Sequence, residues 1–159
     1  MGMQQTLILC KPDALERGLV GTILSRFEQA GLRVEDCRLI RPDESRLTRH
    51  YAELKARHPE VFARALLQFK DRPFVALILS GPNAVQKVRR LTGPTDSLEA
   101  PPGTIRGDYG SDSLPLSKSE HRVTFNLLHA SDSDESAARE IALWFPKAEP
   151  VRFASATAA

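Results

Sequence analysis

Four short segments rich in apolar residues, separated by stretches of helical periodicity, restrict the folds that this chain can adopt. A short continuous apolar run is typical of a fully buried strand, and alternation of apolar and polar residues is typical of a half-buried one. The segments predicted as strands are Thr6–Cys10, Leu32–Ile40, Phe74–Leu79 and Val123–Leu127. The alternation slips near Asp36 and Cys37, which indicates an irregularity inside the second strand.

The stretches between these strands carry apolar residues at the three- and four-residue spacing of amphipathic helices. In the first of them Leu19, Ile23 and Phe27 share one face, and Gly31 marks the end of the helix. The other predicted helices are Ser45–Arg57, Pro59–Phe69, Asn83–Leu91 and a last helix with Ala137, Ile141, Trp144 and Phe145 buried. This last helix is predicted to open at Asp132 or Ser133, because Asp132 and Glu135 stand at capping-box spacing.

The order of these elements favours an α+β fold of ferredoxin-like type, a four-stranded antiparallel sheet with helices on its faces. A small doubly wound parallel sheet is the alternative at this point. A length of 159 residues predicts one domain over residues 1–159, with an irregular tail over residues 146–159. The stretch Thr92–Ser119, rich in Pro, Gly, Ser and Asp, is predicted as a long loop, and such loops are usually functional or disordered.

Composition limits the setting in which this chain can act. No run reaches the roughly 18 apolar residues of a membrane span, so no membrane partner is expected. A net charge of +2 argues against a protein held to nucleic acid by bulk electrostatics. Cys10 and Cys37 both stand in apolar surroundings and are predicted as small core residues, which fits a reducing, cytoplasmic location.

Three segments carry residues suited to chemistry. Lys11-Pro12-Asp13 directly follows the first strand, and Gly103–Asp108 places two glycines around Arg106 in a loop that can approach a ligand closely. In Asn126–Ser133, His129 stands where a strand ends and a Ser/Asp-capped helix begins, a junction at which active-site groups cluster. The two best-known phosphate-binding glycine motifs and the common zinc motifs are absent from the sequence.

The segment Asn126–Ser133, which reads Asn-Leu-Leu-His-Ala-Ser-Asp-Ser, resembles the active-site signature of the nucleoside diphosphate kinases. Further segments match the family in order and approximate spacing: Lys11–Asp13, Arg17–Gly21, Arg26–Glu28, His50–Tyr51, Pro102–Asp108 and Glu140–Phe145. The resemblance runs from about Thr6 to Phe145. It implies a ferredoxin-like sandwich, a homo-oligomer, and transfer of the γ-phosphoryl group of ATP or another nucleoside triphosphate to a nucleoside diphosphate.

The resemblance also implies a ping-pong reaction through a phosphohistidine. His129 matches the nucleophile, Glu140 the carboxylate that holds its other ring nitrogen, and Ser131 the serine that supports this carboxylate. Tyr51 matches a tyrosine near the reacting phosphate. An imidazole suits this role because its unperturbed pKa of about 6.5 leaves a nucleophilic nitrogen at neutral pH.

Substrate binding is implied in the same way. The residues that match phosphate-contacting positions are Lys11, Arg89, Thr95 and Arg106. Asn126, with Lys11, matches the pair that contacts the sugar hydroxyl. Mg²⁺ is expected to bridge the nucleotide phosphates rather than to occupy a protein cage, so no dedicated metal ligand is expected, although Asp132 lies close by in the motif.

Several positions depart from the family pattern. Phe62 is the candidate for the ring that stacks on the base, with Leu66 beside it, and the alternative is that Phe62 is only a core residue. Ala130 replaces the usual glycine after the histidine, and roughly Gly110–Arg122 is an extra piece, predicted to be a surface excursion that covers the site or reaches a neighbouring subunit. These departures motivate an alternative function, a nucleotide-binding regulatory protein with weak catalysis.

Overall fold

The computed structural model describes residues 2–147 of the chain. Its sheet consists of β1 (Met3–Cys10), β2 (Arg33–Ile40), β3 (Phe74–Pro82) and β4 (Leu128–Ala130). The strands lie in the order β2-β3-β1-β4, and every neighbouring pair is antiparallel. The ferredoxin-like prediction is therefore confirmed, and the parallel alternative is wrong. Most of the predicted tail falls on residues 148–159, which lie outside the described residues.

Helices connect the strands and cover both faces of the sheet. Their bounds are α1 Pro12–Glu16, α2 Val20–Gln29, α3 Glu44–His50, α4 Ala52–Arg57, α5 Pro59–Phe69, α6 Ala84–Thr92, α7 Ile105–Tyr109, α8 Leu114–Ser119 and α9 Asp134–Trp144, with a 3₁₀ turn at Ser97–Glu99. The helix predicted over Ser45–Arg57 is two helices that meet at Tyr51, where ψ is 27°. Among the described residues, no helix has the length and apolar character needed to cross a membrane.

The stretch predicted as an irregular loop, Thr92–Ser119, contains the 3₁₀ turn, α7 and α8. Each of these short elements begins at a side-chain cap. Asp96 accepts the N–H of Leu98, and the hydroxyls of Thr104 and Ser113 each accept a backbone N–H three residues later. The prediction missed them because one or two turns of helix bury too few residues to show apolar periodicity.

The core lies on both sides of β1. Ile8 and Cys10 belong to an apolar cluster on one face, whereas Leu7 and Leu9 belong to a cluster on the opposite face. Because successive side chains of a strand point to opposite faces, burial on both sides explains why the first segment is continuously apolar. Cys37 is exposed, so its prediction as a core residue is wrong. It lies on the edge strand β2, whose side chains alternate between exposed and half-buried.

Two predictions about β2 and α9 have mixed outcomes. The register of β2 against β3 shifts between Val34 and Asp36, as the slip in the alternation indicated. The N-cap of α9 is Ser133, whose Oγ accepts the N–H of Ser136 at 3.1 Å. Of the two predicted starts Ser133 is therefore confirmed, and Asp132 with its capping box is wrong.

The fourth strand was predicted at the wrong place. β4 is Leu128–Ala130, not Val123–Leu127. Three N–H groups of the predicted segment donate to side-chain oxygens rather than to a strand: Val123 to Gln68, Phe125 to Asp112 and Leu127 to Asp13. At Leu127 the backbone then takes a left-handed φ of 71°, which breaks the extended run just before the strand begins.

Tight packing fixes the loop that leads to Arg106. A Cβ atom added at Gly107 would clash with the backbone carbonyl of Pro101 and would lie 2.8 Å from Oγ1 of Thr104, the N-cap of α7. Backbone cannot withdraw as a flexible side chain can, so this position requires glycine.

We therefore expect Gly107→Ala to lower the free energy of unfolding by about 1–3 kcal/mol, the usual cost of overpacking. The matched control is Gly21→Ala, because a Cβ added at Gly21 in α2 meets no atom within 4 Å. Alanine is the better helix former there, so the control is expected to be neutral or stabilised by up to about 1 kcal/mol. Urea denaturation of the two variants checks this, and equal stabilities would contradict it.

Candidate active site

His129 lies in the middle of β4, opposite Leu9 of β1. Its ring nitrogen Nε2 is 2.8 Å from Oε2 of Glu140, which lies in α9. The hydroxyl of Ser131 donates to the same oxygen at 2.6 Å. Ser131 is fully buried and Glu140 is 6 % exposed, whereas a quarter of the His129 side chain is open to solvent. His129, Glu140 and Ser131, which the family resemblance assigns to one site, therefore form one hydrogen-bonded chain.

This chain fixes the tautomer of His129. Glu140 Oε2 is an acceptor for Ser131, so the ring proton is assigned to Nε2, which donates to the same carboxylate. Nδ1 is then left with its lone pair. An unprotonated imidazole nitrogen on a partly exposed ring is a candidate nucleophile.

His50 packs against the same ring, although sequence reasoning gave it no role. Its ring meets that of His129 edge to face, with centroids 4.6 Å apart, and its Nδ1 accepts the indole N–H of Trp144 at 3.2 Å. Burial lowers the pKa of His50 well below its ordinary value, and the charges of His129, Lys11 and Arg139 lower it further. A neutral His50 therefore lies beside the candidate nucleophile. The only sequence signal was its place before Tyr51 in the family pattern.

Tyr51 lies at the junction of α3 and α4 and stacks on Phe69, with ring centroids 6.4 Å apart. Burial raises the pKa of the Tyr51 phenol, and the charge of Glu140 raises it further. Its hydroxyl thus remains a protonated hydrogen-bond donor at neutral pH.

Lys11 directly follows β1 and precedes α1, close to the start of β4. Its Nζ donates to Oδ1 of Asn126 at 2.8 Å, and only 8 % of the residue is exposed. Burial, with a smaller contribution from the charge of Arg106, lowers the pKa of Lys11 to about 8, and the charge of Asp13 opposes this shift. The structure thus brings together the two residues predicted to contact the sugar, and one of them is a buried amine whose pKa is lowered to about 8.

Arg106 is also buried, and its guanidinium donates to three backbone carbonyls. Nε contacts Asn126 O at 3.0 Å, Nη1 contacts Gly93 O at 3.0 Å, and Nη2 contacts Leu128 O at 2.6 Å. Burial lowers the pKa of Arg106 to about 10, and the charge of Arg89 adds to this effect. A guanidinium has five N–H groups, so two remain to bind an anion.

Arg89 and Thr95 lie at the open side of the site, and both are exposed. The carbonyl of Thr95 accepts the amide of Asn126 at 2.9 Å. Arg89 lies on α6, where it lines a pocket of about 360 Å³ together with Asp132. The hydroxyl of Ser136 lowers the pKa of Asp132, and the charge of Arg89 contributes to the same shift.

Phe62 lies on α5 and is 7 % exposed, with Nζ of Lys55 5.3 Å from its ring centroid. This burial agrees with the alternative that Phe62 is a core residue. Leu66, on the same helix, packs against the cluster that contains Leu7 and Leu9. The stacking role of Phe62 stays a prediction.

The extra piece over residues 110–122 is anchored rather than loose. Arg122 forms two hydrogen bonds with the carboxylate of Asp112, and Ser117 in α8 bonds Thr124 at 2.7 Å. Burial alone would raise the pKa of Asp112, but the bonds from Arg122 and from backbone N–H groups lower it. Asp96 accepts the N–H of Leu114, which ties the start of α8 to the loop that carries Thr95.

One group of side chains within residues 2–147 could hold a metal ion, namely His50, His129 and Glu140, whose donor atoms lie within 4.8 Å of one another. Two of its three donors are imidazoles, whereas Mg²⁺ prefers six oxygen ligands. The residues of the site therefore do not form a magnesium cage.

Comparison with known proteins agrees with this geometry. The family model described as nucleoside diphosphate kinase matches residues 4–150. A nucleoside diphosphate kinase of Pyrobaculum aerophilum is 38 % identical over an alignment of 180 positions. The alignment covers 94 % of this chain and 98 % of the relative.

Two solved structures have the same architecture. One is a transition-state mimic of the nucleoside diphosphate kinase of Borrelia burgdorferi with bound vanadate and ADP, with TM-score 0.87 and 34 % identity over 91 % of this chain and 88 % of the other. The second is a halophilic nucleoside diphosphate kinase of Halobacterium salinarum in complex with CDP. It has TM-score 0.79 and 35 % identity, over 91 % of this chain and 89 % of the other.

The tautomer assignment gives a direct prediction. In long-range ¹H–¹⁵N NMR spectra, neutral His129 is expected to carry its proton on Nε2, because Glu140 accepts it there. In Glu140→Ala this acceptor is lost, and the spectra should show a mixture of the two tautomers. Protonated Nδ1 in the unchanged protein would contradict the assignment.

Proposed function

The chain belongs to the nucleoside diphosphate kinase family and is a phosphotransferase, and we propose that His129 is the residue that carries the phosphoryl group between the two nucleotides. The observation that carries this proposal is the hydrogen-bonded chain of Ser131, Glu140 and His129, which assigns the ring proton to Nε2 and leaves Nδ1 with its lone pair on a ring that is a quarter exposed. A nucleophile needs both a lone pair and a partner that stabilises the charge it acquires.

The proposed reaction has two halves. In the first, Nδ1 of His129 attacks the γ-phosphorus of a nucleoside triphosphate. The P–N bond forms as the bond to the bridging oxygen breaks, and the nucleoside diphosphate leaves with that electron pair. In the second, a terminal oxygen of another nucleoside diphosphate attacks the same phosphorus and releases the imidazole. Throughout, Nε2–H stays donated to Glu140, which balances the positive charge that the ring gains.

Charge on the moving phosphoryl group is neutralised by cations that are already in place. Phosphoryl transfer depends mainly on positioning and electrostatic stabilisation, and both are stronger away from water. Lys11 and Arg106 are buried at one edge of the sheet, and Arg89 is placed at its open side. The similar structure from Borrelia burgdorferi, a transition-state mimic with bound vanadate and ADP, supports the proposal that this chain also transfers a phosphoryl group from a nucleotide.

Nucleotide recognition is proposed along the same cleft. Lys11 and Asn126, already in contact, would share the sugar hydroxyl, and Thr95 and Arg106 would bind phosphates. Phe62 would stack on the base. The ammonium group of Lys55, which lies over the Phe62 ring, would move aside and the base would take its place. Mg²⁺ would arrive as part of the nucleotide substrate and reduce the charge of its phosphates, since the candidate metal group found within residues 2–147 has two imidazole donors, which suit Mg²⁺ poorly.

The alternative of a catalytically weak regulatory protein is not favoured by Ala130. This residue is buried within β4 and pairs with Ile8 in regular register, so a methyl group fits where the family has glycine. A homo-oligomer and a cytoplasmic location are proposed from family membership. In the part of the chain that is described, β2 pairs with a neighbour on one side only, which leaves an edge for contacts between copies.

The phosphoenzyme is the first test. With γ-labelled ATP and Mg²⁺, followed by an alkaline quench, we expect acid-labile label on His129. His129→Ala is expected to lose the label and at least about 10³-fold in turnover, because positioning alone cannot replace a nucleophile. His121→Asn is the matched control, since His121 is exposed and asparagine tolerates its φ of 53°. Label that persists in His129→Ala would overturn the proposal.

The buried amine gives a pH prediction. Lys11 binds phosphate only when protonated, and its pKa is about 8, so kcat/KM should fall as pH rises through about 8. Lys11→Arg should have a lower plateau value of kcat/KM but no fall near pH 8, because a guanidinium stays protonated there even when burial lowers its pKa, as at Arg106. Lys118→Arg, on the exposed surface of α8, is the control and should keep the original profile. A fall that persists unchanged in Lys11→Arg would assign it to another group.

A further inference from the structure

Asp13 belongs to the first motif of the sequence, but the proposed reaction gives it no role. It lies in α1, directly after β1, and only 8 % of it is exposed. Its Oδ2 accepts the backbone N–H of Leu127 at 3.0 Å, across 114 positions of sequence. Acidic residues are rarely buried without a specific partner, so this contact requires an explanation.

Leu127 has an unusual backbone conformation. Its φ is 71°, and the N–H of Leu128 donates to the carbonyl of Asn126 at 2.9 Å around it. These features define a γ-turn with a positive φ at its central residue, the rarer and strained form. A leucine adopts it only when surrounding contacts over-determine the backbone. The turn directly joins Asn126 to the strand that carries His129.

The segment Lys11–Asp13 holds this turn from both sides of Leu127. The N–H of Lys11 donates to the carbonyl of Leu127 at 2.8 Å, while Asp13 accepts its N–H. Arg106 bonds the carbonyls on either side, at Asn126 and Leu128. Among these groups, Asp13 accepts the N–H of Leu127. Without this carboxylate the N–H would be a buried donor that has lost its acceptor.

We propose that Asp13 is a positioning residue for phosphoryl transfer, whose carboxylate holds Leu127 at its positive φ and thereby sets Asn126 and His129 relative to Lys11. This inference rests on the proposed roles of His129 and Lys11. Asp13 does not touch the substrate in this account, because it acts through the backbone of the turn.

Asp13 has a second influence, through its charge. The charged and titratable groups that face the Lys11 amine are Asp13 of α1, Arg106 of α7 and His50 of α3. Arg106 lowers the pKa of Lys11, and Asp13 raises it. An uncharged residue at position 13 would therefore lower the pKa of Lys11 below about 8.

Two variants separate these effects. Asp13→Asn keeps an oxygen that can accept the Leu127 N–H but removes the charge. Its single-turnover rate of phosphoryl transfer from ATP to the enzyme should stay within about threefold at neutral pH or below, and the alkaline fall of kcat/KM should move to lower pH. Asp13→Ala removes the acceptor as well, and transfer should slow by about 10²-fold, as expected for misplaced reacting groups.

Ser113→Ala is the control for a general loss of stability, because it removes the N-cap of α8 and is expected to leave the transfer rate unchanged. The inference is overturned if Asp13→Ala transfers as fast as this control. Should Asp13→Ala fail to fold, Asp13→Glu decides, because it keeps the charge but moves the carboxylate relative to the Leu127 N–H. Transfer should then slow by at least about tenfold, and a rate equal to that of Ser113→Ala overturns the inference. Absence of label on His129 in the unchanged enzyme would instead refute the proposed function, so the two failures are distinguishable.

Discussion

The site depends on one strained turn, at Leu127, where the end of β1 meets the start of β4. Its backbone bonds to Lys11 and Asp13 on one side and to Arg106 on the other. Because the contacts of Leu127 with Lys11 and Asp13 link segments more than a hundred positions apart, the site assembles only as the sheet folds. Leu127, the residue that carries the strain, is fully buried, so it belongs both to the core and to the segment that leads to the proposed nucleophile.

Burial of like charges is the second consequence of this arrangement. Burial is the main cause of the lowered pKa values of Lys11 and Arg106; the charge of Arg106 lowers the pKa of Lys11 further, and the charge of Arg89 lowers that of Arg106. Two buried cations without an anion are unfavourable, and a single carboxylate at Asp13 offsets only part of the charge. A polyphosphate would supply the missing negative charge, so the same feature that costs stability favours a nucleotide.

Sequence patterns predicted the elements whose burial is continuous or periodic. The bounds of α5, Pro59–Phe69, match throughout, and the apolar runs of β1 and β3 lie inside the observed strands. The patterns failed where distant side chains decide the backbone. β4 was misplaced because Asp112 and Asp13 take the N–H groups of the preceding segment, and no local signal reveals that. The family motif predicted a catalytic role for His129. The contact between Asp13 and Leu127 could not be predicted, because it joins residues 114 positions apart that only the folded structure brings together.

The central claim is that Nδ1 of His129, not Nε2, accepts the phosphoryl group, because Glu140 holds the proton on the other nitrogen. The most direct measurement is NMR of the phosphorylated enzyme, with ³¹P–¹⁵N and ¹H–¹⁵N couplings that identify the substituted nitrogen. We expect phosphorus bonded to Nδ1 and a proton retained on Nε2. Phosphorus on Nε2, or on any residue other than His129, would contradict it.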